Sequence, residues 1–358
     1  MFIISQLMPS LPVFVNSDVT CPLKSTLRER LLDWYFTIKR QMPWRAEIGE
    51  TPNPYHVLVS EFMLQQTTVQ TVIPYFERFI VRFPTIEELA TAPLDDVYAL
   101  WQGLGYYSRA KNLHRSATQI CDLGLFPQDI ETLKTLAGIG PYTSASISAI
   151  AFDHPTMPVD GNVMRVMSRL FAIAEPKGTK LQEQSQEAVH IFAGDADNTH
   201  SAQALMELGA LVCKPKNPLC GECPVSHDCQ AHQTQSVDQY PILLAKVTKP
   251  KRVATAYVIT NQDGHVLLMK RPDKGLFSNM FIFPTTCFDF DPVDLPDLIV
   301  LEQYVKPIKH VFSHFDLELT IVRAETIEPL SGLWVAPSDL SKYGMPTLMH
   351  KVVKISEI

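Results

Sequence analysis

The stretch from Leu136 to Val166 constrains the fold of this chain more than any other. It opens with a tight turn framed by Gly138 and Gly140. Glycine permits positive φ and removes side chains from the turn, so the backbone can approach a ligand closely. The small-residue run Thr143–Phe152 predicts a helix behind the turn, with free N–H groups that favour an anion. The pattern is typical of a phosphate-binding turn, although an ordinary tight turn has the same pattern.

The same stretch places a carboxylate ahead of a second helix. Asp160 precedes Val163, Val166, Met167 and Leu170, which repeat at helical spacing. An aspartate in this position commonly caps the helix N-terminus. A cap can also act chemically, so Asp160 is a candidate functional residue.

A second carboxylate, Glu61, lies in an apolar helical run. Val57 and Leu58 precede it, and Phe62, Met63 and Leu64 follow it directly. A helical glutamate is usually exposed, but these neighbours predict at least partial burial. Burial raises the pKa of a carboxyl and keeps it protonated near neutral pH, as a general acid requires.

Four of the seven cysteines are grouped in one short segment. They are Cys213, Cys220, Cys223 and Cys229, with the spacing C-x6-C-x2-C-x5-C. In an intracellular chain such a group favours a metal site over disulfides. Structural zinc commonly uses two C-x2-C pairs, and only one is present here. The uneven spacing suits an iron–sulfur cluster better, while zinc and paired disulfides remain open.

Length, charge and hydropathy limit the class of protein. The chain has 358 residues, 46% of them hydrophobic, which is enough for two or three domains with buried cores. It contains no apolar run of about 18–20 residues, so we expect no membrane span. Met1–Val15 carries no Lys or Arg, so we expect no targeting peptide and a cytoplasmic protein. The net charge is −7, so any DNA contact must use local basic groups and backbone amides.

The periodicity of the sequence changes once. Residues 23–231 follow helical spacing, and a polar segment with two prolines separates them from residues rich in β-branched side chains. The predicted strands are Arg252–Ile259, His265–Lys270, Phe281–Pro284, His310–Phe315 and Leu317–Val322, with a closing helix at Pro346–Ile355. We therefore predict an N-terminal extension (1–22), an all-α domain (23–231) with the cysteine loop (213–229), a linker (232–251) and a small α+β domain (252–358).

Several motifs occur together in a fixed order. They are Met42–Arg45, Ser60–Thr67, Leu100–Tyr107, Leu136–Thr143, Val159–Val166 and the four cysteines. In these the chain resembles the MutY-type adenine DNA glycosylases of the helix-hairpin-helix Fe–S superfamily. The C-terminal region resembles that family's Nudix-like domain more loosely, through Arg271-Pro272, Gly275-Leu276, Phe281–Pro284 and Phe312–His314. It lacks the Glu-rich Nudix signature helix, so pyrophosphate hydrolysis is not expected.

The resemblance implies removal of adenine mispaired with 8-oxoguanine or guanine in duplex DNA, by a monomer that carries a 4Fe–4S cluster on the four cysteines. The adenine must leave the base stack to be reached. Glu61 would protonate the adenine N7, and Asp160 would stabilise the oxocarbenium sugar, electrostatically or as a transient covalent partner.

Tyr142 bears on strand cleavage. Related bifunctional glycosylases carry a lysine at the second position after the second hairpin glycine, where it forms a Schiff base with the sugar. A phenol cannot form one, so the resemblance implies a monofunctional enzyme without efficient AP lyase activity. Tyr142 would hydrogen-bond near Asp160 and Glu61; a tyrosine that merely packs after a turn is the alternative.

Further roles come from the resemblance alone. Gly138 and Gly140 would bind phosphate, and Asn162 would position Glu61 or a water. Ser313 and His314 would contact 8-oxoguanine. The other base and DNA contacts would be Trp44, Arg45, Leu64, Gln66 and Tyr106. Within this set, Arg45 and Trp44 would lie against the flipped adenine, and Gln66 and Tyr106 would wedge the duplex near the opposite purine.

Three other functions fit parts of the sequence. One is a non-catalytic Fe–S DNA-binding protein, which the joint presence of Glu61, Asp160 and Asn162 disfavours. Another is a small-molecule Nudix hydrolase, disfavoured by the missing signature. The third is a thymine-glycol glycosylase-lyase, disfavoured by Tyr142 and the C-terminal domain.

Overall fold

The computed structural model describes residues 22–244, 248–272, 275–286, 298–327 and 330–358. The predicted N-terminal extension lies outside the described residues, except for Pro22, at which the first helix begins. Within the described ranges no helix is long and apolar enough to cross a bilayer.

The N-terminal part of the chain is helical, as predicted. Its helices are α1 (Pro22–Ile38), α2 (Pro54–Leu64), α3 (Val69–Arg82), α4 (Ile86–Thr91), α5 (Leu94–Trp101), α6 (Ser108–Leu123), α7 (Ile130–Thr135), α8 (Pro141–Phe152), α9 (Gly161–Leu170), α10 (Thr179–Val189), α11 (Asn198–Glu207) and α12 (Gln230–Gln233). A π-helical turn, Leu208–Val212, joins α11 to the first cysteine of the group. Helix α8 begins two residues before its predicted start, because Pro141 suits the first turn of a helix.

Helix α2 carries the first candidate carboxylate into the protein interior. It begins after Asn53, whose side chain accepts hydrogen bonds from the N–H groups of Tyr55 and His56. Side chains from Tyr55 to Met63 are buried, apart from that of His56, so most of the circumference of α2 is covered. Glu61 is therefore inside the core and not on a solvated face.

In the described residues of the C-terminal part, seven strands form a mixed sheet, and one helix follows them. The elements are β1 (Lys251–Thr260), β2 (Val266–Lys270), β3 (Phe281–Ile282), β4 (Ile299–Gln303), β5 (Ile308–Val311), β6 (Asp316–Glu325), β7 (Leu333–Val335) and α13 (Thr347–Ser356). The strand order is β3-β2-β1-β6-β4, with β5 also paired to β6 and β7 to β2. Strands β1 and β6 are parallel, in register from Lys251 with Asp316 to Thr260 with Glu325, and the other pairs are antiparallel.

The predicted strand His310–Phe315 is wrong in its second half. Strand β5 ends at Val311, and the chain turns tightly, with the Phe312 N–H donating to the Phe315 carbonyl at 2.9 Å. The Phe312 and Phe315 rings contact each other within this turn at 4.5 Å between centroids. Aromatic residues are typical of strands, but here the contact between two of them stabilises a turn.

The two parts have separate hydrophobic cores that meet at one interface. Met280, from the sheet part, belongs to the helical core. The Tyr107 hydroxyl donates to the Met345 carbonyl at 3.1 Å. The Gln102 amide and the His350 Nε2 are 2.7 Å apart. The loop between Gln102 and Tyr107 is therefore held against the sheet part at both of its ends.

Candidate active site

A cavity of about 510 Å³ lies among α2, α8, α9 and α11. The predicted site residues that line it are Trp44, Arg45, Glu61, Leu64, Tyr142, Asp160 and Asn162. Other polar residues outside the predicted set also line it, among them Arg40, Gln203 and Glu207. The fold thus brings both candidate carboxylates to the same space.

Glu61 is prepared for proton donation by its surroundings. Its exposure is 6%, and burial raises its pKa to about 7. The neighbouring Ser146 and Tyr142 hydroxyls and the charge of Arg45 oppose this rise, whereas the charge of Asp160 adds to it. A carboxyl with this pKa holds its proton for much of the time at neutral pH.

Asp160 is held by hydrogen bonds at the start of α9. It caps α9, and its Oδ1 accepts from the backbone N–H groups of Asn162 at 2.9 Å and Val163 at 2.7 Å. Its Oδ2 accepts from the Asn162 side-chain amide at 2.9 Å. All three donors lie at the N-terminus of α9, where a negative charge is stabilised. The Asn162 side chain thus hydrogen-bonds to Asp160, and its Oδ1 accepts from Arg165 at 3.0 Å.

The position of Asn162 depends on a close approach by the π-helical turn. A Cβ at Gly209 would lie 2.7 Å from the Asn162 Cβ. The buried Arg165 donates to the Gly209 carbonyl at 2.7 Å and to the Cys213 carbonyl at 2.8 Å. The Arg165 side chain therefore connects α9 with the π-helical turn and with the first cysteine of the group.

The Tyr142 hydroxyl lies beside the Glu61 carboxyl. This tyrosine lies in the first turn of α8 and lines the cavity beside Glu61 and Asp160. Burial, reinforced by the neighbouring charges of Glu61 and Asp160, raises its pKa well above the ordinary value. The phenol is therefore neutral and can donate a hydrogen bond to the Glu61 carboxyl.

Arg45 is fixed by a buried glutamate. Its Nη1 is 2.7 Å from the Glu207 Oε1, while Arg40 is 2.8 Å from the other oxygen. Glu207 is completely buried, near the end of α11. Trp44, 7% exposed, packs edge-on against Phe76 with 5.3 Å between ring centroids. The same signal that identified Glu61, an acid among apolar helical residues, would have identified Glu207.

The hairpin glycines differ from each other. Gly138 has φ +75°, and a Cβ there would lie 2.6 Å from the Asn112 Cβ. Gly140 is extended, with φ −95°, and caps α8 with nothing within 4 Å of a would-be Cβ. Both glycines permit positive φ, and only Gly138 adopts it. The open space at Gly140 faces the N-terminus of α8, where an anion is favoured.

Two exposed loops carry the remaining predicted contacts. Gln66 (φ 59°) and Tyr106 (φ 47°) have the left-handed backbone that L side chains rarely adopt. Both are exposed, Tyr106 at 55%. A second cleft between the two parts of the chain is lined by Tyr106, Ser313 and His314. The Ser313 Oγ and the His314 Nδ1 are 3.0 Å apart in the turn after β5.

The four grouped cysteines surround one small cavity. Burial raises the pKa of the Cys223 thiol to about 12 and those of Cys220 and Cys229 above the ordinary value, so thiolates here require a bound cation. Arg169 reaches the Cys213 sulfur at 3.4 Å. Across the described ranges no three His, Cys, Asp or Glu side chains are arranged to hold a single metal ion. The four thiols line one cavity, and their sequence spacing suits an iron–sulfur cluster better than zinc.

Comparison with known proteins agrees with this geometry. The family model of the HhH-GPD superfamily base excision DNA repair proteins matches residues 59–190, and that of the NUDIX domain matches 255–354. The model of the iron–sulfur binding domain of endonuclease III matches 213–229, the span of the four cysteines. The chain therefore binds a 4Fe–4S cluster at these residues, as predicted.

Similarity to characterised relatives extends over both parts of the chain. The adenine DNA glycosylase of Rattus norvegicus is 31% identical, over 98% of this chain and 81% of the relative. That of Buchnera aphidicola subsp. Schizaphis graminum is 31% identical, over 91% and 97%. A solved structure, a thermostable thymine-DNA glycosylase, covers 59% of this chain and 97% of its own, at 24% identity and a TM-score of 0.49. With two carboxylates in one cavity, a cysteine-bound cluster and relatives aligned over both domains, this chain belongs to the adenine DNA glycosylase family of base excision DNA repair enzymes.

Proposed function

We propose that this enzyme hydrolyses the N-glycosidic bond of adenine mispaired with 8-oxoguanine or guanine in duplex DNA. The observation that carries the proposal is the pairing, in one cavity, of buried Glu61 with capped Asp160. The first has a pKa raised to about 7, whereas the second accepts three N–H hydrogen bonds. Their surroundings suit one carboxyl to give a proton and the other to remain charged.

In this mechanism the proton moves first toward the base. Glu61 donates to the adenine N7, and the C1′–N9 bond breaks with its electron pair leaving on the base. Asp160 stabilises the positive charge that develops on the sugar. Water then adds to C1′ and releases a proton, which restores the acid. The Tyr142 hydroxyl keeps the Glu61 carboxyl oriented, and Asn162 orients Asp160.

Arg45 and Trp44 form the part of the cavity that would receive the extruded base. The ion pair with Glu207 limits the movement of the Arg45 side chain. An arginine held in this way keeps a fixed set of N–H donors for the ring nitrogens of adenine. Leu64 supplies apolar contact at the same cavity.

The proposed reaction ends at the abasic site. Among the described residues that line the cavity there is no lysine that could form a Schiff base with the sugar. Tyr142 occupies the position at which bifunctional relatives carry that lysine. We therefore propose a monofunctional glycosylase without efficient AP lyase activity.

Reading of the purine opposite adenine is assigned to the second cleft. Gln66 and Tyr106 would enter the duplex beside this purine, and Ser313 and His314 would contact 8-oxoguanine. The shared lining of the cleft by Tyr106, Ser313 and His314 supports this assignment. The exposed hydroxyl and imidazole present donors and acceptors that suit the edge of an oxidised purine.

The domain boundaries and the monomeric state are also proposed. We divide the chain into a helical domain (23–231), a linker (232–251) and a sheet domain (252–358). Helix α12 ends at Gln233, two residues after the first boundary, and β1 begins at Lys251, one residue before the second.

A glycosylase assay with and without alkali tests the reaction. A duplex with one adenine opposite 8-oxoguanine would be treated with the intact enzyme, with Glu61→Gln and with Glu183→Gln, an exposed glutamate of α10, as the matched control. We expect strand breaks only after alkali, lost in Glu61→Gln and retained in Glu183→Gln. Breaks without alkali would establish a lyase. If the enzyme binds the duplex and no strand breaks appear under either condition, the protein is a non-catalytic DNA-binding protein and the proposal is wrong.

A further inference from the structure

Arg109 lies beneath the two exposed loops that carry Gln66 and Tyr106. It is in the first turn of α6 and only 6% exposed. Its guanidinium donates to the carbonyls of Phe62, Met63, Gln65, Leu104 and Gly105 and to the Thr67 hydroxyl. One side chain therefore bonds to both loops, which are otherwise separate in the sequence.

The hydrogen bonds fall next to the two strained residues. Gln65 and Thr67, the neighbours of Gln66, each accept one, and the Gly105 carbonyl belongs to the peptide that enters Tyr106. Positive φ at non-glycine residues persists only where the surrounding structure determines the backbone. Arg109 provides such a constraint at both positions at once.

The buried charge of Arg109 requires hydrogen-bond acceptors from both loops. Burial lowers its pKa to about 10, so it stays protonated at neutral pH. In the part of the chain that the structure describes, its acceptors are uncharged, and no carboxylate forms an ion pair with it. A buried charge without a counter-ion depends on the dipoles around it. Separation of either loop from Arg109 would therefore remove part of its stabilisation.

Aromatic contacts extend the same unit. The guanidinium carbon lies 5.5 Å from the centre of the Trp101 ring and 5.6 Å from that of the Tyr106 ring. The Trp101 indole N–H donates to the Gly105 carbonyl at 3.1 Å. The Tyr106 side chain is thus linked to Arg109 directly as well as through its backbone.

We propose that Arg109 is a positioning residue that couples the two loops, so that Gln66 and Tyr106 enter the duplex together when adenine is extruded. The inference deepens the proposed function, because it rests on the assignment of these two residues as wedges. It adds that the two wedges act as one element and names the side chain that joins them. Loss of Arg109 would reduce base extrusion and leave phosphate contacts unaffected.

Base extrusion can be measured apart from chemistry. A duplex with 8-oxoguanine opposite adenine, and with 2-aminopurine beside that adenine, gains fluorescence when the adenine leaves the stack. The measurement would use the Glu61→Gln background, in which the base stays attached. Arg109→Gln and Arg109→Lys would be compared with Arg115→Gln, which removes an exposed arginine of the same helix.

We expect Arg109→Gln to lose most of the fluorescence gain. With Glu61 intact, the same change should lower the single-turnover excision rate about 10- to 100-fold, because the reacting groups are no longer aligned. Affinity for undamaged duplex and cluster absorbance should match those of Arg115→Gln. Arg109→Lys should resemble Arg109→Gln, since an ammonium cannot reach both loops with a planar set of donors. A lysine variant with the full rate would overturn the proposal.

A double-mutant cycle shows whether Arg109 acts through the loops. If it does, adding Tyr106→Ala or Gln66→Ala to Arg109→Gln should cost little beyond the larger single effect. Fully additive losses would refute coupling. If Arg109→Gln fails to fold, Thr67→Val removes one acceptor and should show a smaller loss of the same kind; an unchanged extrusion signal in Thr67→Val would then count against the proposal.

The same measurements distinguish failure of the coupling by Arg109 from failure of the proposed glycosylase function. Excision by the intact enzyme together with equal behaviour of Arg109→Gln and Arg115→Gln would reject the coupling alone. Absence of adenine excision by the intact enzyme would reject the proposed function. Normal rates in Tyr106→Ala and Gln66→Ala would reject the wedge assignment, and the coupling with it.

Discussion

Glu61 links the chemistry of the site to the stability of the fold. Its pKa rises from an ordinary 4.5 to about 7 in the folded chain, because the ionised form is poorly solvated there. The folded state therefore binds this proton more tightly than the unfolded state. The associated stability is fully present below pH 4.5 and is lost as the pH rises through 7.

A stability comparison across pH tests this linkage. Glu61→Gln carries no charge at any pH, so we expect it to be more stable than the intact chain at pH 8, by about 3 kcal/mol at order of magnitude. Near pH 4.5 the difference should vanish. Urea unfolding at both pH values measures it. Glu183→Gln, on the surface of α10, should match the intact chain throughout. A Glu61→Gln advantage that is independent of pH would contradict the linkage.

At the same scale, sequence reasoning found some site residues and missed others. Glu61 and Asp160 were identifiable because each stands out from its own helix. Glu207 has the same apolar setting, but its partners Arg40 and Arg45 lie in a distant segment of the chain. Arg109 belongs to a helix that is also basic at Lys111 and Arg115, a pattern typical of an exposed face, whereas the structure buries Arg109. Nothing in its neighbouring residues signals the two loops above it.

At the scale of elements, the two glycines of the hairpin before α8 have different structural roles. Gly138 needs positive φ and a close approach to Asn112, whereas Gly140 needs neither. The first glycine therefore serves the fold, and the second leaves space at the helix N-terminus.

The two alanine variants should accordingly differ in kind. We expect Gly138→Ala to lose stability by about 1–2 kcal/mol or more, from left-handed strain plus the overlap with Asn112. Gly140→Ala should unfold like the intact chain but bind duplex DNA more weakly, because its methyl group would occupy the phosphate position. Thermal unfolding and a DNA titration at fixed salt give both quantities. Equal affinity in Gly140→Ala and the intact chain would rule out phosphate binding at this turn.

Over the whole molecule, His350 joins the two parts in a way that depends on pH. Burial lowers its pKa, partly opposed by a hydrogen bond to the Met345 backbone, and its Nε2 faces the Gln102 amide. The folded state therefore favours the neutral imidazole. Its contribution to stability is present above the ordinary pKa of 6.5 and is lost as the pH falls below that value. Burial likewise lowers the pKa values of His56 and His310, so acid destabilises more than this one contact.

A substitution at His350 should isolate the contribution of the interface. His350→Gln keeps hydrogen-bonding groups but cannot be protonated, so its melting temperature should fall less than that of the intact chain between pH 7.5 and 5.5. His190→Gln, exposed after α10, serves as the control. Parallel losses in all three proteins would show that His350 contributes nothing to the pH response.

The sequence by itself determined the fold class, the two-part organisation and the grouping of the four cysteines, and it identified both candidate carboxylates. Each of these rests on short-range patterns: helical or strand spacing, a helix cap, a glycine turn and the separation of cysteines. Only the tertiary structure decided which side chains meet. It joined Glu207 to Arg45, Arg109 to both loops, and Gln102 to His350, 248 positions away in the chain. Such contacts depend on how the helices and the sheet pack, and no local pattern records them.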